Sequence, residues 1–276
     1  MGASGDFHTH ADYVDGKSSI YEMTEAAYRI GLKHFGISEH LYSELDGWGI
    51  RGEVLDGYLL DIQSLKEKYR GRMDLLAGLE AEDYDADRTL TEYAAANADY
   101  FIRSTHVLTV DGFSFEVDNS PEFLKKVVEE HFGGDWYKLI RLYYAAEAEV
   151  NPRMNYAFIG HFDLITKFNQ DDCLFSTRSD DYIQPALEAM DRLVPYGLPF
   201  EINTGAMSRG YRREPYPSAF LLKELHNRGG RIIINSDSHR RDNICYGYDI
   251  AAKLAYACGF REQCVLTSDG MITEAL

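Results

Sequence analysis

Residues 231–239 read RIIINSDSH, an apolar run that ends in a carboxylate and an imidazole. A short apolar run bounded by polar residues is typical of a buried β-strand. Comparable runs recur along the whole chain. We therefore predict seven strands: one that ends at residue 8, and residues 34–38, 75–80, 100–105, 157–160, 199–203 and 231–236.

Helical segments separate these strands. Ser19 and Glu22 form a capping-box pattern ahead of MTEAAYRIGLK, and Gly31 is expected to end that helix. The other predicted helices are LDGYLLDIQSLKEKY, RTLTEYAAANA, WYKLIRLYYAAEAEV, YIQPALEAMDRLVPYG, SAFLLKELHNRGG and DIAAKLAYACG. Strict alternation of strand and helix favours an α/β fold with parallel strands covered by helices.

The length of 276 residues suits one large domain, since α/β barrels often run to about 200–250 residues. No linker or internal repeat divides the chain, so we expect a single domain over residues 1–276. The longest predicted irregular stretches, residues 41–56, 110–121 and 204–217, each follow a strand end. Loops of this length in a compact domain are usually functional.

The composition excludes several classes of partner. Lys and Arg number 28 against 45 Asp and Glu, a net charge of −17, which argues against nucleic acid. No run approaches the roughly 20 apolar residues needed to span a bilayer, and the start MGASGDFHTH lacks the features of a signal peptide. The four cysteines form no C-x-x-C pair and are expected to be free thiols. We expect a cytoplasmic protein without a membrane or nucleic-acid partner; the sequence identifies no protein partner.

Histidines concentrate where the predicted strands end. Six of the nine lie at strand ends or in the turns that follow, together with Glu80 and Asp237: His8, His10, His40, His106, His161 and His239. In a parallel barrel all strand C-termini open onto one face, so these side chains should converge. Imidazole and carboxylate are the ligands expected for Zn, Fe or Mn. The other three, His34, His131 and His226, are expected to have solvent or core roles.

A single strand-end histidine is more often a capped or core residue than a metal ligand. Six of them in one layer change this balance. Burying so many imidazoles without a metal would leave polar groups unpaired, at a cost of roughly 1–3 kcal/mol each. Metal coordination is the interpretation we prefer.

The order of the motifs HTH, SEH, GLE, STH, GHFD and SDSH resembles that of the polymerase and histidinol phosphatase (PHP) family of metal-dependent phosphoesterases. Longer stretches resemble its histidinol-phosphatase branch: DFHTHADYVDGKSSIYEM, HFGISEHLY, GLEAEDY, GHFDLITKFN and FEINTGAMSRGYRREPYPS. This resemblance covers essentially the whole chain. It implies a distorted (β/α)7 TIM-like barrel that holds three divalent ions (Zn, Fe or Mn), two of which share a carboxylate.

Carried over by position, the resemblance implies three sets of ligands and a catalytic group that comprises Asp237, His239 and Glu80. Glu80 and Glu82 point to the same side of an extended strand, so the choice of Glu80 depends on the GLE motif. YVDG at Asp15 also reads as an ordinary turn. The first ion would be bound by His8, His10, Glu80 and Asp237, the second by Glu80, His106 and His161, and the third by Asp15, His40 and His239.

Basic residues on the strand-end loops are candidates for phosphate binding. Arg209 and Lys167 are our choices, with Arg212 and Arg213 as substitutes, although each could be a solvated loop charge. The branch often has Arg soon after GHxDLI, where this chain has Thr166 and Lys167, and Lys cannot make a bidentate contact. The loop of this chain that follows the sixth predicted strand also reads NTGAMSRG, where relatives tend toward NTSGLRKG. Asp6 and Asp163 could orient ligand histidines, or could equally be turn or strand-end residues.

The resemblance implies a phosphoric monoester hydrolase in which a metal ion activates the attacking water. The substrate that the resemblance implies is L-histidinol phosphate, cleaved to L-histidinol and phosphate in histidine biosynthesis. An alternative is a PHP phosphoesterase for another ester, such as a sugar phosphate, a nucleotide or a cyclic phosphodiester. A remote alternative is a non-catalytic metal-binding module, which an open site with several metals disfavours.

Overall fold

Seven parallel strands form one sheet in the computed structural model, which describes residues 3–82 and 87–276. In spatial order they are β1 (Gly5–Asp6), β2 (His34–His40), β3 (Asp74–Glu82), β4 (Tyr100–Ser104), β7 (Tyr156–Ile159), β8 (Phe200–Asn203) and β9 (Ile232–Asn235). Beyond β1 and β9, Thr9 pairs with Ser238, and the His10 N–H donates to the Ser238 carbonyl at 2.8 Å. The sheet is thus a nearly closed barrel, and the predicted α/β fold class, a distorted (β/α)7 TIM-like barrel, is confirmed.

Helices connect the strands and cover the barrel. Their bounds are α1 (Ile20–Arg29), α2 (Gly52–Tyr69), α3 (Arg88–Asn97), α4 (Pro121–Phe132), α5 (Trp136–Glu147), α6 (Asp180–Leu193), α7 (Gly205–Ser208), α8 (Ala219–Asn227) and α9 (Tyr248–Cys258). The capping box of α1 is confirmed, with the Glu22 N–H donating to Ser19 Oγ and the Ser19 N–H to Glu22 Oε2. None of the helices among the described residues has the length and apolar character needed to cross a bilayer.

Two antiparallel hairpins differ from the sequence prediction. One pairs β5 (Val107–Val110) with β6 (Phe113–Glu116), and the other pairs β10 (Glu262–Thr267) with β11 (Gly270–Ala275). The prediction of an irregular stretch over residues 110–121 is therefore wrong at its start, where Asp111 and Gly112 form the turn with φ of 49° and 79°. An Asp-Gly pair with two positive φ values is a strong hairpin signal. Helix α4 was also not predicted, and α7 lies within the stretch expected to be irregular.

Side chains alternate between the two faces of each strand. Leu75, Ala77 and Leu79 pack outward in the cluster that contains residues of α1 and α2. Inside the barrel an apolar cluster includes Phe7, Leu76, Tyr100, Ile102, Phe158 and Ile233, together with residues of β10. The β10–β11 hairpin reaches the first residue of β3, where the Ser268 N–H donates to Asp74 Oδ2. It therefore covers the N-terminal end of the barrel and leaves the C-terminal end open.

A close contact inside the barrel sets the position of β1. The Tyr100 hydroxyl donates to the Phe7 carbonyl at 2.5 Å, one residue before His8. The ring passes over Gly78, where a Cβ atom would lie 2.2 Å from Tyr100 Cζ. Glycine is therefore required at this point of β3, and the contact places the His8 segment above the apolar interior.

Candidate metal centre

Glu80 lies near the end of β3, at the middle of a ring of imidazoles. Its Oε2 lies 3.1 Å from His8 Nε2, 3.4 Å from His10 Nε2 and 3.4 Å from His40 Nδ1. Its Oε1 lies 2.9 Å from His161 Nε2 and 3.3 Å from His106 Nε2. The two oxygens of one buried carboxylate thus face two separate groups of histidines.

A second set of contacts adds the remaining predicted ligands. His239 Nε2 lies 2.9 Å from Asp15 Oδ2, and the His239 ring stacks on His10 with centroids 4.4 Å apart. Asp237 Oδ1 lies 3.7 Å from His10 Nε2 and 3.9 Å from His8 Nε2. Asp237 follows β9 with φ of 48°, a left-handed conformation that Asp tolerates better than most residues. All nine predicted ligands are brought together at the C-terminal end of the barrel.

Three overlapping groups have ligand atoms within 4.8 Å of one another. Two resemble the expected first and third sets, although His10 joins the third. The remaining group places His40 with Glu80 and His106, where His161 was expected instead of His40. The groups are His8, His10 and Glu80; His40, Glu80 and His106; and His10, Asp15, His40 and His239.

Several buried atoms of this cluster lack hydrogen-bond partners. They include His8 Nε2, both ring nitrogens of His10, His161 Nδ1 and Asp15 Oδ1. A buried polar atom without a partner costs roughly 1–3 kcal/mol, and metal coordination would give a partner to one nitrogen of each ring and to the Asp15 oxygen. Because the donors are imidazole nitrogens and carboxylate oxygens, the cluster fits several divalent ions of the Zn, Fe or Mn type.

The charges of the cluster also suit metal binding. Burial on its own would raise the pKa of Glu80, but the imidazoles of His8, His106 and His40 hold it well below its usual range. Burial would likewise raise the pKa of Asp237, which Arg209 and His8 hold well below its usual range. Burial lowers the pKa of His10 well below its usual value. Ionised carboxylates and a neutral imidazole are the forms that coordinate metals.

Carboxylates outside the ligand set hold two of the histidines. Glu82 Oε1 lies 2.7 Å from His106 Nδ1 and also accepts from the His106 N–H. Glu201 Oε1 on β8 lies 2.8 Å from His8 Nδ1. Glu201 is not among the residues predicted from the sequence, although FEIN carries polar residues at alternate positions of a buried strand, which places both inside the barrel.

The contacts of Asp6 and Asp163 agree with the second of the two predicted roles, that of turn or strand-end residues. Asp6 accepts hydrogen bonds from the Ser236 N–H and hydroxyl and from the Cys245 N–H, so it joins two strand ends. Asp163 accepts from the hydroxyls of Tyr144 and Tyr182, at 2.8 Å each. The contacts of both carboxylates are therefore structural, and Glu82 and Glu201 are the carboxylates that orient histidines.

Arg209 is the basic residue that lies nearest to the cluster. Its Nη2 donates to Asp237 Oδ2 at 2.9 Å, and its Nη1 donates to the Asp237 carbonyl at 3.0 Å. A Cβ atom at Gly205 would lie 2.6 Å from Asp237 Oδ2 and 2.8 Å from Arg209 Nη2, so this approach requires glycine. Arg209 is thus placed to hold Asp237 as well as to contact a ligand in the pocket.

The other candidate cations have partners of their own. Lys167 Nζ lies 2.9 Å from Asp118 Oδ2, and both residues line the same pocket as Arg209. Arg212 donates to the Thr166 carbonyl at 2.8 Å. Arg213 forms an exposed ion pair with Asp171. Of the four, Arg209 and Lys167 are the ones that line the pocket.

The pocket above the cluster has a volume of about 800 Å³. Among the described residues, seven carboxylates and four basic side chains line it. The resulting excess of three negative charges would repel an anionic ligand, whereas three divalent ions would reverse the sign. Glu80, Asp237 and His239 line this pocket, while His8 and His10 are completely buried beneath it.

The remaining histidines lie elsewhere. His34 begins β2 and lies 3.2 Å from Asp74 Oδ2, at the end of the barrel opposite to the cluster. His131 stacks on Phe113 with centroids 4.5 Å apart, and His226 contacts Phe260 at 5.0 Å.

Comparisons of the sequence and of the fold with known proteins agree with each other. The sequence profile of the PHP domain matches residues 6–205. A Schizosaccharomyces pombe protein named "Probable histidinol-phosphatase" is 27% identical over 95% of this chain and 87% of its own length. A Deinococcus radiodurans protein of the same name is 29% identical, with 84% of each chain covered. The fold is similar to that of histidinol phosphate phosphatase from Lactococcus lactis, solved with zinc, L-histidinol and phosphate, at a TM-score of 0.70, 20% identity and 98% coverage of each chain.

Proposed function

The chain belongs to the PHP domain family, and on that premise we propose that it is a metal-dependent phosphatase that hydrolyses L-histidinol phosphate to L-histidinol and phosphate. The observation that carries this proposal is the Glu80 carboxylate, whose two oxygens face two groups of histidines below an open pocket. The names of the curated relatives, and the zinc, histidinol and phosphate bound by the Lactococcus lactis protein, support the substrate.

The ligands of three divalent ions are proposed to be the nine residues of the cluster. Bound ions of this type lower the pKa of a coordinated water and offset the charge of phosphoryl oxygens. Glu80, Asp237 and His239 are proposed as the catalytic residues because they line the pocket that would receive the substrate, as Asp15 and His40 also do. His8 and His10 would hold their ion from below, where water is excluded.

Arg209 and Lys167 are proposed to bind the phosphate. The Arg209 guanidinium is fixed by Asp237 and borders the pocket, so it can donate a charge-assisted hydrogen bond without first being ordered. Lys167 is held by Asp118 and, unlike a guanidinium, cannot make a bidentate contact with phosphate. We therefore assign the stronger phosphate contact to Arg209.

A second candidate is a phosphatase for another small ester. It is favoured by the Lys167–Asp118 pair, which stands where the histidinol-phosphatase branch often has Arg after GHxDLI. In either case the substrate is a small phosphate ester. A cytoplasmic location belongs to the same proposal, as does the absence of a nucleic-acid partner, which the net charge of −17 supports.

Turnover of a panel of phosphate esters, measured with added Zn or Mn, tests the proposed function. The panel should contain histidinol phosphate, sugar phosphates, nucleotides and a cyclic phosphodiester. We expect the highest kcat/KM for histidinol phosphate. A higher value for another ester would contradict the substrate, and no turnover of any ester by the metal-loaded protein would contradict the phosphatase.

A further inference from the structure

We propose that Glu201 is a positioning residue that sets the ring tautomer of His8 and thereby holds the ion expected between His8, His10, Glu80 and Asp237. This inference rests on the proposed metal site. Glu201 is not one of the predicted ligands, and it lies on β8, the strand to which sequence analysis assigns no ligand.

The Glu201 carboxylate is completely buried and has four hydrogen-bond partners. Oε1 lies 2.8 Å from His8 Nδ1 and accepts from Asn235 Nδ2 at 3.0 Å. Oε2 accepts from the His161 N–H at 2.8 Å and from Asn203 Nδ2 at 2.9 Å. One side chain thus joins His8 and His161, which follow β1 and β7, to the last residues of β8 and β9.

These contacts decide which nitrogen of His8 is free. Three N–H groups already donate to the two Glu201 oxygens, so the carboxylate acts as an acceptor and His8 Nδ1 carries the hydrogen. In the neutral ring the lone pair is then on Nε2, which faces Glu80 Oε2 at 3.1 Å and makes no hydrogen bond within residues 3–82 and 87–276. A histidine that donates its second N–H to a carboxylate is held in the orientation that a metal requires.

Two asparagines prevent the carboxylate from turning. Asn235 Oδ1 accepts from the Phe7 N–H at 2.9 Å while its Nδ2 donates to Glu201. Asn203 Oδ1 accepts from the Gly205 N–H at 2.8 Å, and its Nδ2 donates to Asp237 at 3.2 Å as well as to Glu201. Both amides are therefore fixed with their NH2 groups toward Glu201. Glutamine at position 201 would place its own NH2 group against an N–H donor, whether this group stood in place of Oε1 or of Oε2.

Glu82 provides a comparison, because it holds only one histidine, His106. Glu201 holds the His8 ring and the backbone at His161. Because the contact to a ring nitrogen is the one to His8, loss of Glu201 should weaken the ion beside His8 most strongly. Loss of Glu82 should act on the ion beside His106.

The test is Glu201→Gln in the full chain, stripped of metal and reloaded with zinc or cobalt. We expect one ion to bind at least about tenfold more weakly in competition with a chelator, because loss of such a partner typically costs about 10–100-fold in affinity. The visible absorption of the cobalt protein should change for one site only. Glu201→Asp, which keeps the charge, should bind that ion more tightly than Glu201→Gln.

Glu147→Gln is the matched control. Glu147 is an equally buried carboxylate, paired with Arg103 at 2.6 Å outside the metal cluster. This control should lower the melting temperature of the metal-free protein and leave the affinity of the ion beside His8 unchanged; because the Arg103–Glu147 pair lies next to the His106 segment, any loss of metal should fall on the ion beside His106. It separates the loss of a buried charge from the loss of a positioning contact.

Several results would overturn the inference. Unchanged affinity for every ion in Glu201→Gln would do so, as would weakening of all ions to the same degree with a lower metal-free melting temperature. If Glu201→Gln does not fold, unchanged metal affinity in Glu201→Asp would overturn it. A parent protein that binds no ion would overturn both this inference and the proposed function. A parent that binds the ions and hydrolyses no ester would overturn only the function.

Discussion

The two oxygens of the Glu80 carboxylate contact two different groups of imidazoles. Its oxygens lie within 3.4 Å of nitrogens of five histidines, and these nitrogens lie on two sides of the carboxylate. Two positive ions on these sides would be separated by one shared anion, which offsets their repulsion. We therefore expect Glu80 to be the bridging ligand.

Substitution of Glu80 should affect two metal positions. Glu80→Gln removes one negative charge and one acceptor, so we expect the loss of up to two ions and a loss of turnover of at least about a hundredfold, roughly 2.7 kcal/mol in activation free energy. Metal analysis and kinetics measure this. Glu82→Gln is the matched control, since it changes the contacts of the His106 segment and leaves the Glu80 carboxylate in place. Equal losses in both variants would contradict the bridging role.

Substitution of Arg209 tests phosphate recognition. Arg209→Ala should lower kcat/KM for the best ester about tenfold or more, since a charge-assisted hydrogen bond contributes roughly 1.5–3 kcal/mol. From the sequence alone we would expect metal content to stay intact. Because the structure pairs Arg209 with Asp237, we now expect weaker binding of one ion as well.

The two effects of Arg209 are separable by assay at saturating metal. A phosphate contact leaves kcat/KM low when every ion is bound. Full recovery at high metal would mean that Arg209 acts only through Asp237. Arg213→Ala is the control, since Arg213 pairs with exposed Asp171 outside the pocket.

At the scale of residues, the sequence could indicate the cluster because the motifs follow strand ends, where parallel strands bring side chains together. It could not distinguish Glu80 from Glu82 by alternation, since both point the same way. The choice of Glu80 depended on the GLE motif, and in the structure the pairing of Glu80 with His40 separates the two residues. Nor could it find the partner of Arg209. That contact depends on the left-handed backbone at Asp237 and on the space left by Gly205.

At the scale of elements, β4 and α5 are joined by an ion pair outside the barrel. Arg103 Nη1 lies 2.6 Å from Glu147 Oε2, with both side chains at most 1% exposed. Arg103 also donates to Thr105 Oγ1 and to the carbonyls of Ala146 and Glu149. A strand-end segment that carries a predicted ligand, His106, is thus anchored to a helix.

Removal of Arg103 should destabilise the fold. Arg103→Met leaves Glu147 as an unpaired buried charge, which typically costs about 3–5 kcal/mol. Denaturant unfolding of the metal-free protein measures this change. Arg141→Met provides the control, because Arg141 pairs with exposed Asp181 and such pairs contribute about 1 kcal/mol or less. A change in unfolding free energy as small as that of the control would contradict the anchoring role.

Elements with strong local signals were the predictable ones. The capping box at Ser19 and the apolar run IIIN gave α1 and β9 correctly. The β5–β6 hairpin was not predicted, because four-residue strands with weak alternation resemble a loop. The signal that could have found it was the Asp111-Gly112 turn.

At the scale of the whole molecule, the predicted ligands come from the ends of β1, β2, β3, β4, β7 and β9, and β8 supplies Glu201. The site therefore exists only when all seven strands are in place. The convergence of the ligands could be predicted from the sequence because barrel topology fixes where the strand ends meet. The shape of the pocket could not be predicted, because it depends on the paths of loops.

Removal of metal should therefore weaken the whole fold as well as activity. Ions that bind only the folded chain stabilise it by about 2.7 kcal/mol for each site at a free concentration of a hundred times Kd. A chelator should abolish turnover and lower the melting temperature, and added Zn or Mn should restore both. In Glu80→Gln, which we expect to bind fewer ions, the chelator should lower the melting temperature less than in the parent. Unchanged melting of the parent on chelation, with elemental analysis finding less than one ion per active chain, would contradict the assignment of the cluster as a metal centre.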